Sequence, residues 1–101
     1  MTGAKLLLSY NMSSDNANAY YQFFLGRYIP LMQTLGLQIS EAWHTAYGPY
    51  PNRLVGFVTR DVELALALPQ NDTWIELNNE LIGYVANFSY KIVLYREGFQ
   101  F

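Results

Sequence analysis

The spacing of apolar positions along this chain switches between the two periods of regular structure. From Lys5 to Met12, Leu6, Leu8, Tyr10 and Met12 alternate with Lys5, Leu7, Ser9 and Asn11. That is the period of a strand with one strongly apolar face and one mixed face. Ser13, Ser14, Asp15 and Asn16 then offer N-cap oxygens, and a helix is predicted from about Asn16 to Leu35. Ala17, Tyr20, Tyr21, Phe24, Tyr28, Leu31, Met32 and Leu35 share one face at helical spacing. Pro30 lies inside it and takes away the donor for the Gly26 carbonyl, which predicts a bend, with Gly26 leaving room for it. Gly36 is placed to end the helix in the left-handed conformation. Phe23 and Ile29 fall outside the main stripe and hint at a second covered surface.

The next two runs, Leu37 to Tyr47 and Arg53 to Arg60, read as a hairpin. In the first, Ile39, Glu41, Trp43, Thr45 and Tyr47 are expected on one face, and Ser40, Ala42, His44 and Ala46 on the other. In the second, Leu54, Gly56 and Val58 oppose Val55, Phe57 and Thr59, so both faces are apolar and something should cover each. Gly48-Pro49 and Pro51-Asn52 break the chain between the runs, and the residues before the prolines are biased to extended backbone. Asp61 to Leu68 is a short helical piece closed by Pro69. Asn71 or Asp72 caps a further helix, where Thr73 and Glu76 fit a capping box. Its apolar stripe is Trp74, Leu77, Leu81, Tyr84 and Val85, extended by Phe88. The last strand is Ser89 to Arg96, with Tyr90, Ile92 and Leu94 opposing Lys91, Val93 and Tyr95, and the tail after it carries Phe99 and Phe101. The order is β-α-β-β-α-β in a single domain spanning residues 1–101, an α+β class.

Composition adds two constraints. Hydrophobic residues are 51% of the chain and charged residues 14%, against a usual charged share of about 25%, so a partner is expected over part of the apolar surface. A net charge of −2 and an isoelectric point near 5.1 speak against a nucleic-acid partner. With no cysteine, disulfides, iron–sulfur clusters and thiolate zinc sites are excluded. No apolar run reaches bilayer length, and Leu6-Leu7-Leu8 is too short for a signal-peptide core, so a cytoplasmic location and no membrane partner are expected.

The element order and the two-faced apolar sheet resemble the dimeric α+β-barrel group of ferredoxin-like folds. Within it the chain is most similar to the NIPSNAP family. The matching residues are Trp43, the Gly48-Pro49 turn, Asn52 after it, the apolar strand Leu54 to Val58, and Asp72 with Trp74 opening the second long helix. The family spacing between Gly-Pro and Asn is lengthened here, since Tyr50 and Pro51 both intervene. The resemblance implies an antiparallel sheet, outer helices and a homodimer through the sheet. It implies no single reaction, because related branches include cofactor-independent monooxygenases, isomerases and stress-associated dimers.

Candidate chemistry centres on His44, the one histidine and the side chain whose ordinary pKa lies nearest neutrality. Ser40, Ala42 and Ala46 are its small neighbours on the expected face, leaving space for a ligand; a hydrogen-bonded interface histidine is the alternative. Trp43, Tyr47 and Tyr50 can form an aromatic wall, although core or interface is the stronger reading for Trp43. Asn11, Ser9 and Arg53 can orient a carbonyl or phenolate. No metal site and no cofactor are expected: no ligand spacing, phosphate loop, nucleophile elbow or carboxylate pair is visible. Three functional readings result. The first is binding of a small apolar or aromatic molecule between sheet and helices, by Asn11, Trp43, His44, Tyr47, Tyr50 and Arg53. The second is a cofactor-independent monooxygenase or isomerase with His44 as catalytic base. The third is a purely structural dimer.

Overall fold

A computed structural model describes residues 2–12, 14–44 and 52–96. Its strands are β1 (Thr2–Asn11), β2 (Gln38–His44), β3 (Arg53–Thr59) and β4 (Ala86–Arg96). They form one antiparallel sheet in the order β2-β3-β1-β4. The first helical segment runs as α1 (Ala17–Phe23), a π-helical turn (Phe24–Tyr28) and α2 (Ile29–Leu35). The second is α3 (Val62–Ala67), a 3-10 turn (Leu68–Gln70) and α4 (Asp72–Ile82). This is the expected β-α-β-β-α-β order.

The helices cover one face of the sheet. Leu6, Leu8 and Tyr10 of β1 and Phe57 of β3 are fully buried against Tyr28, Met32, Leu77 and Leu81. The alternation of β1 is therefore the alternation the sequence predicted. Tyr28 ties the helical layer together: its hydroxyl donates to Asn78 Oδ1 (2.9 Å) and accepts from Trp74 Nε1 (3.1 Å). The buried Asn78 thus has its partner, as a buried amide must.

Pro30 acts as predicted in kind but not in form. The disturbance is taken up by the π-turn just before it, where the Ile29 N–H reaches back five residues to the Phe24 carbonyl. Tyr20, Phe24, Tyr28 and Met32 are all buried. Residues four apart drift by roughly 40° per step on an ideal α-helix; the wider π-turn offsets this and keeps all four over the sheet. It also brings Phe23 inward, onto the Tyr84 ring at 5.2 Å. Gly26 is not the reason for the bend, because a Cβ there meets no atom within 4 Å. Gly36 does cap the helix in the left-handed region, at φ 100°.

Several boundaries move for local reasons. Asn71 is the cap of α4, its side chain accepting the Trp74 N–H at 3.0 Å. The Thr73–Glu76 capping box is therefore not the one used. Asp61 caps α3 in the same way, through the Leu64 N–H. β4 starts at Ala86 rather than Ser89, because a bulge opposite Ser9–Asn11, with Asn87 at φ 57°, lets pairing continue. Phe88 consequently lies on β4 and stacks on Tyr10 rather than extending the helical stripe.

A second bulge alters the hairpin. Register slips between Ile39 and Glu41, and a one-residue slip moves a side chain to the other face. Ile39 pairs with Phe57 on the helix side, while Glu41 and Trp43 pair with Gly56 and Leu54 on the opposite side. Ile39 therefore does not share a face with Glu41 and Trp43. On that opposite side Lys5 Nζ meets Glu41 Oε1 at 2.7 Å. The Glu41 side chain crosses directly over Gly56, where an added Cβ would lie 2.9 Å from Oε1. Leu7, Leu54 and Val58, half-buried, and Val93, exposed, share this face with the ion pair, opposite the helices.

Candidate functional site

A half-open cleft of about 170 Å³ lies between the edge strand β2 and the first helical segment. Phe24, Leu25 and Ile29 come from the π-turn and the start of α2, Ile39, Ala42 and Trp43 from β2, and Val55 from β3. The bulge supplies Ile39 to this wall. Ala42, small and exposed, leaves the volume open. Leu25 is 61% exposed and Tyr21 40%, so the wall is apolar surface held available rather than packed away.

The other end of the cleft is polar. Tyr20, Tyr21 and Arg53 line it, and Arg53 is the one charged side chain among the described lining residues. Arg53 Nη2 donates to the Tyr21 hydroxyl, and its Cζ stands 5.6 Å from the centroid of the Tyr21 ring. The arrangement combines a hydrogen bond with a cation–π contact. The Arg53 Nε is buried and has no acceptor among the described residues. Behind it the hydroxyls of Tyr10 and Tyr20 meet at 2.5 Å. Burial pushes both phenols above the ordinary tyrosine range, and the Arg53 charge only partly opposes this. Both therefore stay neutral at ordinary pH.

The residues singled out in the sequence fare differently. Arg53 lines the cleft. Trp43 borders it from the edge strand and is not core: it pairs on the face opposite the helices, is 60% exposed, and its Nε1 donates to Glu41 Oε2 at 3.2 Å. His44 ends β2 with its backbone paired to Arg53, and its side chain lies outside the described residues, as do Tyr47 and Tyr50. Ser40 is the bulge residue, and its hydroxyl donates to the Gly56 carbonyl at 3.1 Å. Asn11 Oδ1 accepts the Asn52 backbone N–H at 2.9 Å. Asn52 answers with Oδ1 to the Met12 N–H at 2.9 Å and Nδ2 to the Met12 carbonyl at 3.2 Å. Asn52 thus clips the end of β1 to the start of β3. Tyr20 and Tyr21 were legible only as part of an apolar helical stripe; nine tyrosines in the chain were the available hint of a hydroxyl cluster. No group of three or more His, Cys, Asp or Glu side chains suited to a metal ion occurs among the described residues. Among those residues, no helix is long and apolar enough to cross a membrane.

Neither a family model nor a curated protein matches the sequence. Solved structures do match. An uncharacterized NIPSNAP domain protein from Burkholderia xenovorans aligns at a TM-score of 0.63 and 10% identity, over 96% of this chain and 97% of that one. A candidate antibiotic biosynthesis monooxygenase from Nitrosomonas europaea gives 0.61 at 12% identity, over 97% and 91%. A dimeric protein of unknown function and ferredoxin-like fold from Bacteroides fragilis gives 0.56 at 10% identity, over 93% and 95%. The fold is therefore ferredoxin-like and NIPSNAP-like, as the sequence resemblance implied.

Proposed function

We propose that the protein is a homodimer built through the sheet face opposite the helices and that it binds a small, mostly apolar or aromatic molecule in the cleft beside β2. The observation that carries the binding reading is the cleft itself. Apolar side chains line a half-open volume somewhat larger than a closed cavity that takes up one aromatic ring, with a few polar groups gathered at one end. That combination is the usual composition of a small-molecule site. The dimer is supported by Leu7, Leu54, Val58 and Val93 beside one ion pair on the open face, and by a neighbour of this fold described as dimeric.

The test is to fill the cleft. Naphthalenemethanol, a flat neutral probe, is titrated while amide NMR signals are followed. Shifts are expected at Tyr20, Phe24, Ala42 and Val55. Ala42→Phe should abolish them without unfolding the protein, since Ala42 is exposed. Unchanged binding in Ala42→Phe would remove the cleft from consideration.

A second reading is favoured by the backbone pairing of His44 with Arg53. In it His44 acts as general base on the cleft occupant, and Arg53 stabilises the enolate-like oxygen that forms, as in a cofactor-independent isomerase or oxygenase. His44→Ala would then lower turnover by about 10²–10⁴-fold and leave binding intact. Equal loss of binding and turnover would instead make His44 a binding residue only.

A further inference from the structure

We infer that the molecule bound in the cleft is an organic anion, a flat hydrocarbon body carrying a carboxylate or phenolate oxygen, and that Arg53 is its counterion. This rests on the cleft being a binding site and specifies what the site recognises. A guanidinium has five N–H donors and cannot shed its charge. Here one nitrogen is occupied by the Tyr21 hydroxyl, while Nε is buried without an acceptor among the described residues. Leaving a buried donor unpaired is costly, and such groups in native structures call for an explanation. None of the described lining residues is a carboxylate that could neutralise Arg53.

The neighbours of Arg53 also fit an incoming anion. The Tyr10 and Tyr20 hydroxyls are held neutral by burial and bonded to each other, so neither supplies the missing negative charge. Tyr21 holds the guanidinium from one side by hydrogen bond and ring face. It is a positioning residue, orienting the fork so that its remaining donors serve the ligand. A planar fork of this kind matches a carboxylate bidentately. The apolar wall of Phe24, Leu25, Ile29 and Val55 receives the hydrocarbon part.

The experiment compares naphthoate with naphthamide, which share a ring system and differ in charge, by calorimetric titration of the intact protein. Naphthoate should bind at least about tenfold more tightly, the size of step a charge-assisted pair commonly gives. Arg53→Met should erase that preference, bringing naphthoate and naphthamide to equal affinity. Arg53→Lys should retain part of it, and Tyr21→Phe should lower it without abolishing it. If Arg53→Met does not fold, the wild-type comparison of the two probes decides alone. Equal affinity for both probes overturns the anion assignment and leaves the cleft as a neutral binding site. Binding of neither probe overturns both this inference and the small-molecule reading beneath it.

Discussion

The Tyr10 and Tyr20 hydroxyls meet at 2.5 Å between β1, an inner strand of the sheet, and the first helix, each serving as the other's hydrogen-bond partner. The rings also contact edge to face, with centroids 5.9 Å apart. Two elements that share no backbone hydrogen bond are thus joined by a pair of phenols beneath the Arg53 end of the cleft.

Because the pair is buried, removing one hydroxyl should cost more than removing both. Tyr10→Phe leaves the Tyr20 hydroxyl without its partner and should destabilise by about 1–3 kcal/mol. The double variant Tyr10→Phe with Tyr20→Phe should recover part of that loss, giving a clear coupling energy. Urea unfolding of the native protein, Tyr10→Phe, Tyr20→Phe and the double variant measures it, and additive effects would show that the contact is energetically idle.

The same two residues, together with the buried Tyr28, make stability sensitive to alkaline pH. Their phenols are raised in the folded state, whereas in the unfolded chain they ionise near pH 10. Above that value the unfolded state releases protons that the folded state keeps, so stability should fall as pH rises past 10. It should be insensitive to these groups below about pH 9. Unfolding at pH 8 and pH 11 checks the sign, and the double phenylalanine variant should show a shallower decline.

Asn52→Ala should cost about 1–3 kcal/mol, because it deprives the Met12 N–H and carbonyl of the side chain that satisfies them. Hydrogen exchange should quicken at Met12 and Arg53 and stay slow at Leu6 and Phe57, deep in the sheet.

Two glycines should respond oppositely to alanine. At Gly26 nothing crowds a new Cβ and the site is helical and exposed, so Gly26→Ala should stabilise by about 0.5–1 kcal/mol. At Gly56 the new methyl would strike the Glu41 side chain at 2.9–3.0 Å, so Gly56→Ala should displace Glu41 from Lys5. Thermal melts of the two variants separate these outcomes.

The dimer is tested by Leu7→Glu, which puts a charge on the open sheet face opposite the helices. Light scattering should give twice the 11.6 kDa chain mass for the native protein and the single mass for the variant. A native monomer at low micromolar concentration would remove the homodimer.

The order of elements was legible in the chain because it depends on local periodicity. Leu6, Leu8 and Tyr10 had one side to face, Gly36 had a left-handed turn to make, and Pro30 had to disturb its helix wherever that helix packed. The membership of the cleft was a different kind of fact. Ile39 joins it only because the strand slips by one residue at Ser40, and the two-residue period of the sequence assigns it to the other face. Tyr20 and Tyr21 look like ordinary stripe residues until the fold sets them beside Arg53, 33 and 32 positions away along the chain. The same holds for Asn11, whose Oδ1 accepts the backbone N–H of the distant Asn52. Hydrophobic alternation is written into neighbouring residues, whereas bulges, hydroxyl pairs and unpaired charges are set by contacts between distant ones, and only tertiary packing brings those contacts about.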